Sequence, residues 1–239
     1  MTEGASILEV AELDFAFEPK PWVFAERRTA SVAAHWARLK KVKPSLFNGR
    51  VLLLGRRALE TRPDGALRLR GAFFETDFAD FIAWRDFGHP GERVDNWFSM
   101  AALCAAGGAF LLGEMAPHTS NAGQIYFPAG TPDPSDVFGG NVDLDASTRR
   151  ELLEETGVRA EEAIVRRSWT VVFAPHRVAC MKLMALDMPA SEAKARIEAF
   201  LARDPYSEFS RIHIVRGPLD IDETRTPEFV AAFLRSQFD

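Results

Sequence analysis

The stretch RRELLEETGV, residues 149–158, combines two arginines, three glutamates and a glycine. On a helix, Glu151, Glu154 and Glu155 stand at positions i, i+3 and i+4, so their carboxylates share one face. Like charges this close repel one another, which costs stability unless a cation neutralises them. Hard cations such as Mg²⁺ or Mn²⁺ prefer oxygen ligands, and the stretch offers no His or Cys for Zn²⁺. The pattern therefore indicates either a divalent-metal site or a solvated charged helix face.

The same residues carry a resemblance to a known family. Residues 150–158, RELLEETGV, match the second half of the Nudix box, R-E-U-x-E-E-x-G-U with U aliphatic, at every specified position. At average residue usage, a chance match in a chain of this length is on the order of one in 10⁵. The sequence thus resembles the Nudix hydrolases. This resemblance implies an α/β fold, an α/β/α sandwich with a mixed sheet, in which Glu151, Glu154 and Glu155 hold Mg²⁺ or Mn²⁺ and Arg150 is their ion-pair partner.

The resemblance also implies an activity, the hydrolysis of a phosphorus-containing anhydride. The expected substrate is a small molecule in which a nucleoside diphosphate is linked to another moiety, and bound cations lower the pKa of the attacking water. Nudix families differ in which carboxylate acts as the base, so that role stays open. The alternative is a Nudix-fold module that binds a nucleotide or regulates without cleaving, although an intact glutamate trio weighs against it.

The first half of the box, G-x5-E-x7-R, is atypical. Counting back from Arg150 places Asp136 at the glycine and Val142 at the glutamate. Asp143 or Asp145 is an alternative for the missing glutamate, but aspartate is equally suited to cap the following helix. Upstream, the sequence YFPAG that ends at Gly130 looks like the strand and turn that precede many Nudix boxes. Gly130 is therefore predicted to border the substrate.

Three further residues are candidates for the site. His176 and Arg177 lie at the tip of a predicted hairpin and are expected to contact substrate phosphates, since the arginine fork donates two bonds at once. The alternative is that they are exposed turn residues. Glu208 follows the box in a loop and is predicted, from that position alone, to be a fourth acidic metal ligand.

A weaker similarity concerns the substrate. Three short segments look like the Nudix branch that includes eukaryotic UDP-sugar hydrolases: LFNG at 46–49, TDFADF at 76–81 and GTPDP at 130–134. They point toward a UDP-sugar-like substrate, although the eukaryotic branch differs from this sequence in the box itself.

Composition narrows the class of protein. The chain has 239 residues, 47% of them hydrophobic and 26% charged, which is typical of globular proteins. A net charge of -5 with mixed signs argues against a nucleic-acid-binding surface. The N-terminus lacks the pattern of a signal peptide, and no stretch reaches the ~18 apolar residues of a membrane span. We therefore expect a cytoplasmic protein with neither nucleic-acid nor membrane partners. Nudix proteins are often homodimers, but no stretch marks an interface.

The order of predicted elements suggests an N-terminal α+β extension, residues 1–95, followed by a Nudix domain, residues 96–239. The sequence contains no G-x-S-x-G elbow, G-x4-G-K-[ST] loop or G-x-G-x-x-G fingerprint. This absence argues against a serine hydrolase, a kinase and a dehydrogenase. Cys104 and Cys180 lie in apolar stretches and are expected to be buried thiols. The main predicted elements are a strand at 7–17, a helix at 23–42, a helix at 76–84 capped by Thr76 or Asp77, and a box helix at 146–156 that Asp145 caps and Gly157 ends.

Overall fold

The computed structural model of the protein describes residues 6–238. Its helices are α1 (Val23–Val42), α2 (Phe78–Asp86), α3 (Leu144–Thr156), α4 (Ala190–Leu201) and α5 (Glu228–Phe238). Its strands are β1 (Ser6–Val10), β2 (Glu12–Phe17), β3 (Arg50–Thr61), β4 (Leu67–Asp77), β5 (Asn96–Ala106), β6 (Phe110–Met115), β7 (Ile125–Tyr126), β8 (Ala129–Gly130), β9 (Val137–Phe138), β10 (Asn141–Val142), β11 (Ala163–Val165), β12 (Trp169–Ala174), β13 (Arg177–Pro189) and β14 (Phe209–Val215). None of these helices is both long and apolar enough to cross a membrane.

The strands form two sheets. The larger has the order β1-β12-β13-β5-β6-β14, and β11, β7 and β8 pair with strands along this path. Within it β13 and β5 run parallel, whereas β12 and β13 are antiparallel. The smaller sheet has the order β3-β4-β2-β10-β9 and contains the parallel pair β2 and β4. Both sheets are therefore mixed, which confirms the predicted α/β class.

Helices cover both faces of the larger sheet. Ser99 of β5 lies opposite Gly130 of β8, so the two residues share a face, and a Cβ on Gly130 would collide with Glu151 of α3. Phe98 points to the other face, where its ring lies 5.4 Å from that of Phe229 in α5. Since α4 packs against α3, the arrangement is an α/β/α sandwich.

The core crosses the predicted domain boundary at residue 95. One cluster of buried side chains lies between the two sheets, where the ring of Phe15 contacts those of Phe73 and Trp97 at 5.3 and 5.2 Å. Strand pairing also crosses the boundary, since β1 pairs with β12 and β10 pairs with β2. Residues 6–95 and 96–238 thus contribute strands to common sheets and side chains to a common core. Both cysteines are free; Cys180 is buried and Cys104 half-buried.

The first predicted strand is in fact two. The helix predicted at 23–42 is confirmed as α1, but the strand predicted at 7–17 bends at Ala11, and its halves enter different sheets. A continuous strand would direct Val10 and Phe15 to opposite faces. The bend lets both side chains bury in the cluster between the sheets.

Neither Thr76 nor Asp77 caps α2 with its side chain, contrary to the sequence prediction. The Asp77 carboxylate accepts a hydrogen bond from Arg50 instead, at 2.6 Å. The backbone N–H of Ala79 donates to the side-chain oxygen of Asn48 at 2.7 Å. A residue distant in sequence therefore satisfies a donor at the start of α2.

Candidate metal and substrate site

The acidic helix α3 begins at a cap that differs from the predicted one. The side chain of Asp143, not Asp145, accepts hydrogen bonds from the backbone N–H groups of Asp145 and Ala146, both at 3.0 Å. Asp145 instead pairs with Arg149 at 2.6 Å and with Lys182 at 3.4 Å. Both aspartates are thus engaged at the first turn of α3. The helix ends as predicted at Gly157, whose left-handed φ of 69° suits glycine.

Arg150 connects α3 to the preceding loop. Its Nη2 donates to both carboxylate oxygens of Asp136, at 3.2 and 3.3 Å, and its Nη1 donates to Glu151 at 2.9 Å and Glu154 at 3.3 Å. Asp136 is only 2% exposed, whereas Val142, at the expected glutamate position, is buried among apolar side chains. The buried acidic partner that Arg150 finds outside α3 therefore comes from the position where the box pattern has glycine. No local signal in the sequence identifies it, because the pairing depends on how the loop folds.

Glu155 is the most buried carboxylate of the trio, with 5% of its surface exposed. The backbone N–H of Ala129, in β8, donates to its Oε2 at 2.9 Å. Burial raises the pKa of Glu155 well above its usual range, and the charges of Glu151 and Glu208 add to the rise. The folded chain thus holds this carboxylate in a position that disfavours its ionised form.

Glu151 lies beside Gly130, where any side chain larger than hydrogen would collide with its carboxylate. Burial raises the pKa of Glu151 to about 7; Arg150 opposes the rise, and Glu154 and Glu208 add to it. Glu154 lies at the rim, with 59% of its side chain exposed.

Glu208 lies in the loop before β14, and its backbone carbonyl accepts a hydrogen bond from the N–H of Ala116 at 2.7 Å. Burial raises the pKa of Glu208, while His118 opposes the rise. Its charge acts on both Glu151 and Glu155. The tertiary structure therefore brings Glu208 into the neighbourhood of α3, which loop position alone could not demonstrate.

The donor set fits a hard divalent cation. Glu155 is buried, Glu151 is half-buried and Glu208 lies at the surface, and the pKa of each of these carboxyl groups is raised. The neighbouring cation Arg150 is already engaged by Asp136. A divalent cation would relieve this excess of negative charge. Within residues 6–238, however, no three His, Cys, Asp or Glu side chains converge closely enough to form a preassembled metal cluster. The carboxylates thus share a neighbourhood without meeting at one point.

A cavity of about 170 Å³ opens beside Gly130, and we call it the aromatic cavity. The rings on its wall are those of Phe78, Phe81, Trp84, Phe98, Tyr126 and Phe229. The polar residues on its wall include Arg85, His89, Asn96, Asn121, Gln124, Thr131, His176 and Arg177. The three residues predicted to contact substrate, Gly130, His176 and Arg177, therefore lie on one cavity. Beyond the TDFADF segment, α2 also contributes Trp84 and Arg85 to this wall, and no motif in the sequence marks these two residues.

The aromatic cavity lies close to the carboxylates. Tyr126 is on its wall, and the charges of Glu155, Glu208 and Glu151 all act on the Tyr126 hydroxyl, whose pKa is raised chiefly by burial. Arg177 lies on the same wall. Burial and the neighbouring charge of Arg85 lower the pKa of Arg177, and no carboxylate of the described chain offsets its charge. Acidic and cationic groups therefore border one cavity.

Comparison with family models and with curated proteins finds no match for this chain. Among solved structures, a Nudix hydrolase from M. smegmatis, RenU, is 16% identical with a TM-score of 0.41, over 61% of this chain and 88% of that chain. A C. elegans Ap4A hydrolase is 16% identical with a TM-score of 0.40, over 59% and 92%. The MutT protein from Methanosarcina mazei is 16% identical with a TM-score of 0.37, over 59% and 91%.

These TM-scores are below 0.5, so an inference about function must come from the residues of the site. In sequence, the chain resembles the Nudix hydrolases in the RELLEETGV segment at 150–158.

Proposed function

We propose that the protein is a Mg²⁺- or Mn²⁺-dependent Nudix pyrophosphohydrolase that cleaves the diphosphate of a nucleoside diphosphate linked to another moiety. The observation that carries this proposal is the position of Gly130, which lines the aromatic cavity and contacts Glu151. A substrate in the cavity would lie near Glu151, which is beside Gly130, and near Arg177, which has no carboxylate partner within residues 6–238. A cation between the carboxylates and the phosphates would complement both charges.

In this proposal the carboxylates and Arg150 have different roles. Glu151, Glu155 and Glu208 hold the cation, Glu154 completes the site from the rim, and Arg150 positions Glu151. When bound, the cation neutralises the diphosphate and lowers the pKa of the attacking water.

The cavity wall orients the substrate. Arg177 donates to phosphate oxygens through its fork, with His176 beside it. Water attacks one phosphorus, the bridging P–O bond breaks, and the bridging oxygen leaves with the other phosphate. The products are a nucleotide and a phosphorylated moiety.

The finer proposal is a UDP-sugar-like substrate. Of the three short segments that resemble the UDP-sugar branch, those at 46–49 and 76–81 meet in space, since the N–H of Ala79 donates to the side chain of Asn48 and the N–H of Phe78 donates to the carbonyl of Gly49 at 2.8 Å. Phe78 and Thr131, from two of these segments, line the aromatic cavity. Their convergence on one cavity supports a common role in holding the substrate.

A nucleotide-binding module without catalysis is the second candidate. The hydrogen bonds of Arg150 to Glu151 and Glu154 favour it, because they place a protein cation among the carboxylates. The lack of three converging ligands in the described part of the chain points the same way. Calorimetric binding of a nucleotide without any product would identify this module.

The test is product release from a panel of nucleoside diphosphate sugars, ADP-ribose, NADH, CoA, dinucleoside polyphosphates and nucleoside triphosphates. We expect cleavage of one class with Mg²⁺ or Mn²⁺ and none with a chelator. Glu155→Gln should lower kcat by about 10²-fold or more. Glu161→Gln is the matched control, because this glutamate lies outside the site and its side chain is 76% exposed. Equal loss in both variants, or full activity of Glu155→Gln, would contradict the assignment.

A further inference from the structure

A second cavity adjoins the aromatic cavity. It has a volume of about 540 Å³, and we call it the outer cavity; its wall includes Arg57, Arg93, Asp95 and Phe173. Two residues, His89 and His176, line both cavities, and no other residue is common to the two walls as the structure describes them. The two imidazoles are therefore positioned as a partition.

The imidazoles of His89 and His176 are stacked on each other. Their ring centroids are 4.0 Å apart and their planes differ by 5°. Trp84 presents its indole to the rings of His89 and His176 at 4.5 and 5.7 Å, with interplanar angles of 87° in both cases. His89 follows α2 and His176 lies in the turn between β12 and β13, so the partition joins two loops that are distant in sequence.

The backbone of both histidines adopts a conformation that glycine would adopt more easily. The φ angles of His89 and His176 are 60° and 59°, in the left-handed region. Gly88 and Gly91, on either side of His89, also have positive φ. A residue other than glycine is strained at a positive φ. Strained residues of this kind cluster at functional sites. The stacking of the two imidazole rings therefore explains why histidine, and not glycine, occupies positions 89 and 176.

We propose that the stacked pair of His89 and His176 closes the end of the aromatic cavity and thereby limits the substrate to a group of one ring at this position. This inference rests on the proposed function. A dry cavity of about 150 Å³ is known to hold one benzene molecule, so the aromatic cavity has room for a single ring. Without the partition, the cavity would continue into the outer cavity and admit a larger group.

The test compares His89→Gly with His89→Phe. Glycine suits the left-handed φ and removes the ring, whereas phenylalanine keeps a planar ring that cannot titrate. Two ratios of kcat/KM are measured. The ratio for ADP-glucose to UDP-glucose tests a larger base, and the ratio for UDP-N-acetylglucosamine to UDP-glucose tests a larger sugar. We expect one of these ratios to rise on the order of tenfold in His89→Gly, as pocket size discriminates between ligands, and to change little in His89→Phe. The ratio that rises identifies the group in the cavity.

Unchanged ratios in His89→Gly would overturn the inference, as would equal rises in both variants. Turnover of no substrate by the wild type would instead contradict the proposed function, and the partition is then tested without substrate. Trp84 is 1% exposed behind the stacked rings. In a Trp36→Phe background, acrylamide should quench tryptophan fluorescence more strongly in His89→Gly than in His89→Phe or in the parent. Equal quenching would overturn the partition. His89→Asn, which also tolerates positive φ, replaces the glycine variant if that variant unfolds.

Discussion

The acidic helix face and the aromatic cavity differ in how their charges are balanced. Glu151 and Glu155 on α3 are buried with more negative charge around them than Arg150 offsets. On the cavity wall, Arg177 is exposed at the surface, and within residues 6–238 no carboxylate offsets its charge. Each region alone is electrostatically incomplete. Under the proposed function, a diphosphate with its cation would satisfy both regions.

The largest effect is expected from removing Arg150, the cation that pairs with the carboxylates of the acidic face. Arg150→Met should lower the free energy of unfolding by about 3 kcal/mol, because it leaves the buried carboxylate of Asp136 without its partner. Arg149→Met is the matched neighbour, and it should cost at most about 1 kcal/mol since Asp145 and Glu161 are exposed partners. Urea denaturation measures both. Equal losses of unfolding free energy in the two variants would show that the Arg150–Asp136 pair stabilises the fold no more than an exposed ion pair does.

The cationic side of the comparison is tested at Arg177. Arg177→Ala should lower kcat/KM by up to about a hundredfold, since a hydrogen bond to a charged group contributes about 1.5–3 kcal/mol. Arg177→Lys should restore part of the loss, because it keeps the charge without the fork. Steady-state kinetics on the cleaved substrate decide the matter. An unaffected Arg177→Ala variant would remove this residue from the substrate site.

Protonation should affect the acidic face before any cation is added. The folded-state pKa of Glu151 is raised to about 7, so its stabilising contribution is complete below the unfolded value near 4.5 and is lost as pH rises through 7. By this linkage, metal-free protein loses about 2 kcal/mol of stability between pH 5.5 and pH 8.5. Thermal unfolding in chelator should therefore show a larger fall in Tm from pH 5.5 to 8.5 for wild type than for Glu151→Gln. Mg²⁺ should reduce that fall in the wild type. Parallel pH profiles of the two proteins would refute the assignment.

The smallest effect concerns the α2 wall of the cavity. Asn48→Ala removes the side chain that caps Ala79 and should cost about 1 kcal/mol. Asp77→Ala removes a residue that was predicted to cap α2 but instead forms an exposed ion pair with Arg50, and it should cost less. Tm measurements distinguish the two. A greater fall in Tm for Asp77→Ala than for Asn48→Ala would support the sequence prediction that Asp77 caps α2.

Features that depend on residues close together in sequence were predictable. The span of α1, the end of α3 at Gly157 and the common face of the three glutamates follow from helical spacing and from the left-handed conformation that glycine tolerates. The order of the elements is compatible with α/β or α+β, and the resemblance of the 150–158 segment to the Nudix box favoured the α/β class. The positions of Glu208, His176 and Arg177 near one site were expected only by resemblance and by loop position.

The tertiary structure decided which distant residues meet. Asp136 pairs with Arg150, and Asn48 caps α2. The bend at Ala11 sends β1 and β2 to different sheets. These contacts join residues whose separation in sequence carries no periodic signal, and each is selected by the burial of side chains and polar groups elsewhere in the fold. The local sequence is therefore sufficient to predict the acidic helix and the spacing of its carboxylates. The cavity beside it, and the partition that closes it, exist only because folding brings α2 and the β12–β13 turn together.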